Sequence, residues 1–217
     1  GYARLLASDE SRNALLIEKL GPRLADLGLP VREQIEATCG TLLEAWRQPE
    51  GAHSLMTGAD KARWLADFIA RSWTDLSEPC RRETIDRALR FCAARESAHD
   101  PDDCVLVHAD AHAHNVLTVP GGAAPQRFKL VDPEGLFAEP AFDLAVPMRE
   151  WSEELLGSDS LRRAETRCRL LAERTGVDEE PIWQLGYVER VSSGLMLLRL
   201  KMKEMGLEML GVVDQWG

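Results

Sequence analysis

The sequence predicts an α+β chain that is mostly helical, and three observations carry that prediction. Apolar residues recur at helical spacing over long stretches on either side of a short middle segment. The middle segment itself switches to brief apolar runs divided by turn residues. The first residues read as a β-hairpin before any helix begins. The expected order is hairpin, helices, a small β-insert, then helices.

Each element has a local reason. Tyr2 to Ala7 and Ala14 to Ile17 are β-like runs around the polar stretch Ser8 to Asn13, and Gly21-Pro22 ends the hairpin. Ile35, Thr38, Cys39, Leu42, Leu43 and Trp46 then fall on one helix face. Trp64, Leu65, Phe68 and Ile69 make a second stripe, and Ile85, Ala88, Leu89 and Cys92 a third, with the tryptophans expected in the core. Cys104 to Val107, Val116 to Val119 and Phe128 to Val131 are the short strand-like runs. Pro120 to Gln126 joins the last two as a hairpin connection, and its glycines read as turn residues, because no helix follows them. Helices return with one starting near Ala141. Asp178 is placed as an N-cap, with Glu179, Glu180 and Pro181 suited to a first turn. Ile182 to Met202 is apolar on most sides and is expected in the middle of a helical lobe.

Composition bounds the function. The 217 residues suffice for one large domain or two small ones, and 45% hydrophobic with 29% charged is a soluble globular balance. A net charge of −10 argues against nucleic acid or an anionic membrane as partner, since phosphate backbones demand Lys and Arg. Five cysteines, odd in number and without a C-x-x-C pair, fit a reducing cytoplasm rather than a disulfide framework. No apolar run reaches the roughly 18 residues of a membrane span. The absence of an initial Met, with a strand beginning at once, suggests a chain cut from something longer.

The insert concentrates the chemistry. It contains His108-Ala109-Asp110-Ala111-His112-Ala113-His114-Asn115 and then Val131-Asp132-Pro133-Glu134-Gly135. A hairpin over 116–131 would bring Asn115 and Asp132 side by side at its open end. Phosphoryl transfer from ATP needs such a set: one carboxylate to meet the attacking hydroxyl, and hard oxygen ligands to hold Mg²⁺ against the phosphates.

These residues resemble the H-x-D-x-x-x-x-N loop and metal-binding Asp of the protein-kinase-like fold. The segments HADAHAHNVL, FKLVDPEGLFAEPAFDLA and ALLIEKLG resemble, more closely, the aminoglycoside phosphotransferases, in their streptomycin 6-kinase and hydroxyurea phosphotransferase branch. The resemblance implies a remnant of the N-lobe sheet with the interlobe hinge in residues 1–20, and a helical C-lobe in 21–217. It implies Asp110 as catalytic base, Asn115 and Asp132 as Mg²⁺ ligands, and His108 and Asp143 as structural supports. Ile17, Glu18, Lys19 and Leu20 would be the hinge that meets the adenine of ATP. Ala109 replaces the Arg of phosphate-regulated protein kinases, and Pro133-Glu134 replaces their Phe-Gly, which favours a small-molecule acceptor. A Gly-rich phosphate loop and its Lys are expected before residue 1, since Lys19 and Lys61 are wrongly placed to substitute.

The acceptor has a weaker signature. Glu134, Glu139, Asp143, Glu150, Glu153 and Glu154 stand against a lone Arg149 after the metal Asp. A carboxylate-rich rim favours a cationic substrate such as streptomycin, with Glu134 closest to the transferred phosphate. Two rival readings compete. His108, Asp110, His112 and His114 alternate, so on a strand they could hold a metal in a hydrolase. Alternatively, the chain could be a non-catalytic binding protein built on a kinase.

Overall fold

Two antiparallel strands, β1 (Leu5–Asp9) and β2 (Ala14–Ile17), open the chain in a computed structural model that describes residues 1–49, 54–121 and 126–216. Their turn is built by Asp9, which accepts from Ser11 Oγ (2.6 Å) and Arg12 N (3.3 Å), and by Asn13, which takes the left-handed conformation (φ 49°) that asparagine tolerates. The first strand lies later than the expected Tyr2 to Ala7. Tyr2 instead bridges to Leu130, and Ala3 N donates to Leu130 O at 2.8 Å, so the leading residues join the central insert.

Three helices follow: α1 (Val31–Ala45), α2 (Gly58–Asp75) and α3 (Arg82–Ser97). A reciprocal capping box starts α2, with Asp60 N donating to Thr57 Oγ1 and Thr57 N to Asp60 Oδ2. The stripe on α2 is only half core. Leu65 and Ile69 are buried, but Trp64 is 45% exposed and stacks on Phe68 with ring centroids 5.5 Å apart. A stripe four residues wide spans a broad arc of the helix, and its 64–68 edge faces an open cleft.

The insert is two short antiparallel ladders. β3 (Val105–Val107) pairs with β6 (Leu136–Ala138), and β4 (Val116–Thr118) with β5 (Phe128–Leu130). Residues 122–125 of the expected hairpin connection lie outside the described residues; Gly121 before them has φ 72°, a turn conformation. β6 is too short to show a period, and its partner lies far back in the chain.

Four helices complete the lobe: α4 (Ala141–Arg149), α5 (Ser160–Thr175), α6 (Glu179–Arg199) and α7 (Lys203–Val213). α4 stops at Arg149; Glu150 is extended, Trp151 is left-handed (φ 51°) and Ser152–Leu155 forms a 3₁₀ turn. Glu150 and Glu154 therefore share no helix face. Asp178 holds the N-cap position of α6 without a side-chain capping bond. α6 runs through the centre, packed on α2, α3, α4, α5 and α7. Its approach to α4 requires Gly186, where a Cβ would sit 2.6 Å from Met148 Cβ. Among the described residues no helix is long and apolar enough to cross a membrane.

Candidate functional site

The register of β4 and β5 sets the site. Val116 faces Leu130, so the residues just beyond, Asn115 and Val131, meet at the open end, where Val131 N donates to Asn115 O at 3.0 Å. Asp132 follows at once, in the left-handed conformation (φ 59°). Ala109, before Asp110, is left-handed as well (φ 67°). Such backbone costs of order 1 kcal/mol or more and persists only when its surroundings hold it.

What holds the 108–115 loop is buried polar chemistry. Asp143, on the first turn of α4 and fully buried, accepts from His108 N (3.0 Å), Ala109 N (2.6 Å) and Trp46 Nε1 (2.8 Å). Burial pushes its carboxyl up from the usual range, while these three N–H donors pull it back. His108 is also fully buried. Its Nε2 donates to Val131 O (2.8 Å) and its Nδ1 accepts from Asp110 N (3.2 Å), so one neutral tautomer ties both loops together. Tyr2 stacks flat on the His108 ring at 5.9 Å, and burial raises its hydroxyl pKa.

Asp110 points into a cleft. His112 Nε2 lies 3.3 Å from its Oδ2 and Arg149 Nη2 3.4 Å from its Oδ1. The His112 bond, then the charges of His112 and Arg149, hold the Asp110 carboxyl below the usual range, and Asp110 in turn raises the His112 pKa. Asn115 Nδ2 donates to Asp110 O at 3.0 Å, and its Oδ1 accepts no hydrogen bond from the described residues. The Asp132 carboxylate is exposed and accepts no hydrogen bond from the described residues. A carboxylate and an amide oxygen, both uncommitted, are the donor set that a hard cation such as Mg²⁺ takes.

The 132–135 loop contributes to the walls of two clefts. One, of about 240 Å³, is lined by Lys61, Trp64, Phe68, Asp110, Glu134 and Glu189, among others. The second, of about 580 Å³ and mostly apolar, has Tyr2, Leu5, Ile17, Leu106, Leu130 and Asp132 in its walls. Of the four expected hinge residues only Ile17 lines it. The Glu18 carboxylate is paired with Lys129 and accepts from Arg4 N (2.7 Å), and Lys129 holds it below the usual range. Lys19 and Leu20 are not among the walls.

The expected acidic rim is largely neutralised. Glu139 pairs with Arg95 (3.1 Å), Glu150 with Arg149 (3.3 Å) and Glu154 with Arg167 (3.1 Å), while Asp143 is buried. Glu134 does line the smaller cleft, 3.5 Å from Lys61 Nζ. Glu189, Arg149 and Trp64 also line it, and sequence reasoning missed them as site residues. Glu189 sits inside α6 with no local motif, and Trp64 looked like core. The histidine-metal reading finds no support: 108–114 is not a strand, and both His108 nitrogens are engaged with backbone. Among the described residues no group of three His, Cys, Asp or Glu is placed to hold a metal.

Comparison with solved structures shows the fold. A Plasmodium vivax ethanolamine kinase superposes with TM-score 0.56 at 14% identity, over 98% of this chain and 67% of that one. A spectinomycin phosphotransferase in complex with ADP and spectinomycin superposes with TM-score 0.54 at 15% identity, over 92% of this chain and 70% of that one. At such identities the likeness is one of architecture, the α+β protein-kinase-like fold. No curated protein matches the sequence. The family model described as aminoglycoside/hydroxyurea antibiotic resistance kinase matches residues 1–199. That span takes in both clefts and the loops between them, and with it the chain belongs to this family of small-molecule phosphotransferases, enzymes that move a phosphoryl group to a hydroxyl.

Proposed function

We propose that the protein transfers the γ-phosphoryl group of ATP to a hydroxyl of a cationic aminocyclitol, with streptomycin as such an acceptor. The observation that carries this reading is that one loop, 132–135, lines both clefts. Asp132, Pro133 and Gly135 line the larger one, while Glu134 and Asp110 line the smaller. A donor and an acceptor in these clefts would meet between Asp110 and Asp132. Residues 1–20 act as sheet and hinge, with Ile17 against the adenine, and 21–217 as the helical lobe.

Asp110 stays ionised at neutral pH and accepts a hydrogen bond from the attacking hydroxyl, orienting its oxygen toward the phosphorus. It takes the proton as the new O–P bond forms and ADP leaves. His108 and Asp143 hold the loop, keeping Asp110 in place. Asn115 Oδ1 and the Asp132 carboxylate would hold Mg²⁺, which when bound neutralises phosphate charge. Acceptor choice follows from the smaller cleft. Trp64 and Phe68 offer an aromatic face, and Lys61 Nζ rests 5.1 Å above the Trp64 ring beside Glu134. The protein's own ammonium thus marks a place where a cation is stabilised by a carboxylate and a π face. All five cysteines are free, in keeping with a cytoplasmic site of action where ATP is at hand.

The test is phosphorylation of streptomycin, hydroxyurea and a neutral sugar by the full-length protein with Mg²⁺-ATP. Phosphostreptomycin is the expected product, and equal turnover of the neutral sugar would overturn the cationic assignment. Asp110→Asn should lower turnover about 10²–10⁴-fold with ATP binding retained, whereas Asp132→Ala should weaken Mg²⁺-ATP binding. Near-normal transfer by the Asp110 variant would remove that residue from the mechanism.

A further inference from the structure

The smaller cleft contains a cation that the proposed chemistry does not use. Arg149, at the last turn of α4, is largely buried, yet its guanidinium reaches three carboxylates on three parts of the chain. Nη2 lies 3.4 Å from Asp110 Oδ1, Nη1 lies 3.3 Å from Glu189 Oε2 on α6, and Nε lies 3.3 Å from its neighbour Glu150. Burial works against its charge, and the surrounding carboxylates outweigh that and raise its pKa.

α4 thereby holds the 108–115 loop at two points. Asp143 in its first turn binds the backbone N–H groups of His108 and Ala109, and Arg149 in its last turn meets the Asp110 side chain. Six residues of helix, a rise of about 9 Å, separate the two grips. The last turn is itself anchored, because Met148 packs on Gly186 and Arg190 Nε donates to Met148 O at 3.2 Å. The helix therefore fixes where the Asp110 carboxylate stands relative to its own backbone. At 3.4 Å the contact is longer than the 2.7–2.9 Å of a tight charge-assisted bond, so it orients the carboxylate without using up its lone pairs.

We propose that Arg149 is a positioning residue that aims Asp110 at the acceptor hydroxyl and links it, through Glu189, to the wall of the acceptor cleft. The inference rests on the reading of Asp110 as the catalytic base. A planar fork reaches two carboxylates on separate elements from different nitrogens, whereas a lysine ammonium presents its three donors from a single point and cannot reproduce that geometry. A carboxylate displaced by even an ångström loses turnover while leaving ATP binding intact.

The test compares Arg149→Met, Arg149→Lys and the double variant Arg149→Met/Glu189→Gln in the full-length protein, with streptomycin and Mg²⁺-ATP. The double variant removes one of the carboxylates that Arg149→Met alone would leave unpaired, so it guards against simple misfolding. Expected is a fall in kcat of about 10–100-fold in both Met-containing variants, an ATP KM within twofold of wild type, and little recovery with Arg149→Lys. A kcat within threefold of wild type in the double variant would overturn the proposal. So would full recovery with lysine, or a loss that appears only as a lower melting temperature. If the wild-type protein phosphorylates nothing, the proposed function fails; if it works and these variants match it, only the role of Arg149 fails.

Discussion

Replacing Asp143 by Asn tests how the 108–115 loop is held. The change is nearly isosteric, so packing is preserved and only the hydrogen bonds and charge are altered. The wild-type carboxylate accepts three N–H groups: Oδ2 from Trp46 Nε1 and His108 N, and Oδ1 from Ala109 N. An asparagine oriented to keep its oxygen toward Trp46 and His108 turns an NH₂ toward the N–H of Ala109. One buried donor is then orphaned, which costs about 1–3 kcal/mol, and the two surviving bonds drop from charged to neutral strength, roughly 1 kcal/mol each. Relief from burying a charge returns part of this, so the net destabilisation should be about 2–4 kcal/mol. For a chain of this size that is a fall in Tm of about 4–16 °C. The orphaned donor belongs to Ala109, whose left-handed conformation precedes Asp110, so kcat should fall further than stability alone explains. Urea unfolding and steady-state turnover, measured on the same variant below its Tm, check both parts. A loss under about 1 kcal/mol, or a kcat equal to wild type, would refute the view that Asp143 holds this loop.

Three further outcomes follow from the same geometry. Lys61→Met frees the Trp64 face and the Glu134 carboxylate, so the KM for a cationic acceptor should fall about 2–5-fold, the worth of an exposed cation–π contact. Raising salt should increase KM in both proteins, and acceptor kinetics at two ionic strengths would show either effect missing. The His112–Asp110 pair predicts a pH dependence of stability. The folded-state pKa of His112 is raised, so its contribution is fully present below the ordinary histidine range and is lost as pH rises through the folded value. That of Asp110 is lowered, so its contribution is present above the ordinary carboxylate range and is lost as pH falls through the folded value. The pair therefore acts between about pH 4 and 6.5, and His112→Gln should lower Tm more at pH 5.5 than at pH 9. An equal loss at both values would show that the imidazolium contributes nothing.

The sequence by itself determined what depends on neighbours a few residues away. Helical periods placed α1 and α3, because a helix repeats within four residues and its buried face must repeat with it. The loop His108 to Asn115 and the Asp132 turn were legible for a similar reason: a short hairpin between them leaves its two ends side by side whatever surrounds it. Contacts between distant residues were decided only in three dimensions. The pairing of β3 with β6, the three hydrogen bonds that Trp46, His108 and Ala109 donate to Asp143, and the arrival of Glu189 beside Arg149 all depend on how helices pack. Packing also decided which glutamates of the acidic stretch remain unneutralised, since Arg95 and Arg167 reach theirs from other helices. Trp64 shows the limit most plainly. Its spacing on α2 is that of a core residue, yet the stripe is wider than the surface it covers, so its edge is left to form the wall of a cleft. Periodicity reports that one side of a helix is apolar; whether protein, solvent or a substrate covers that side is set by the elements that pack against it.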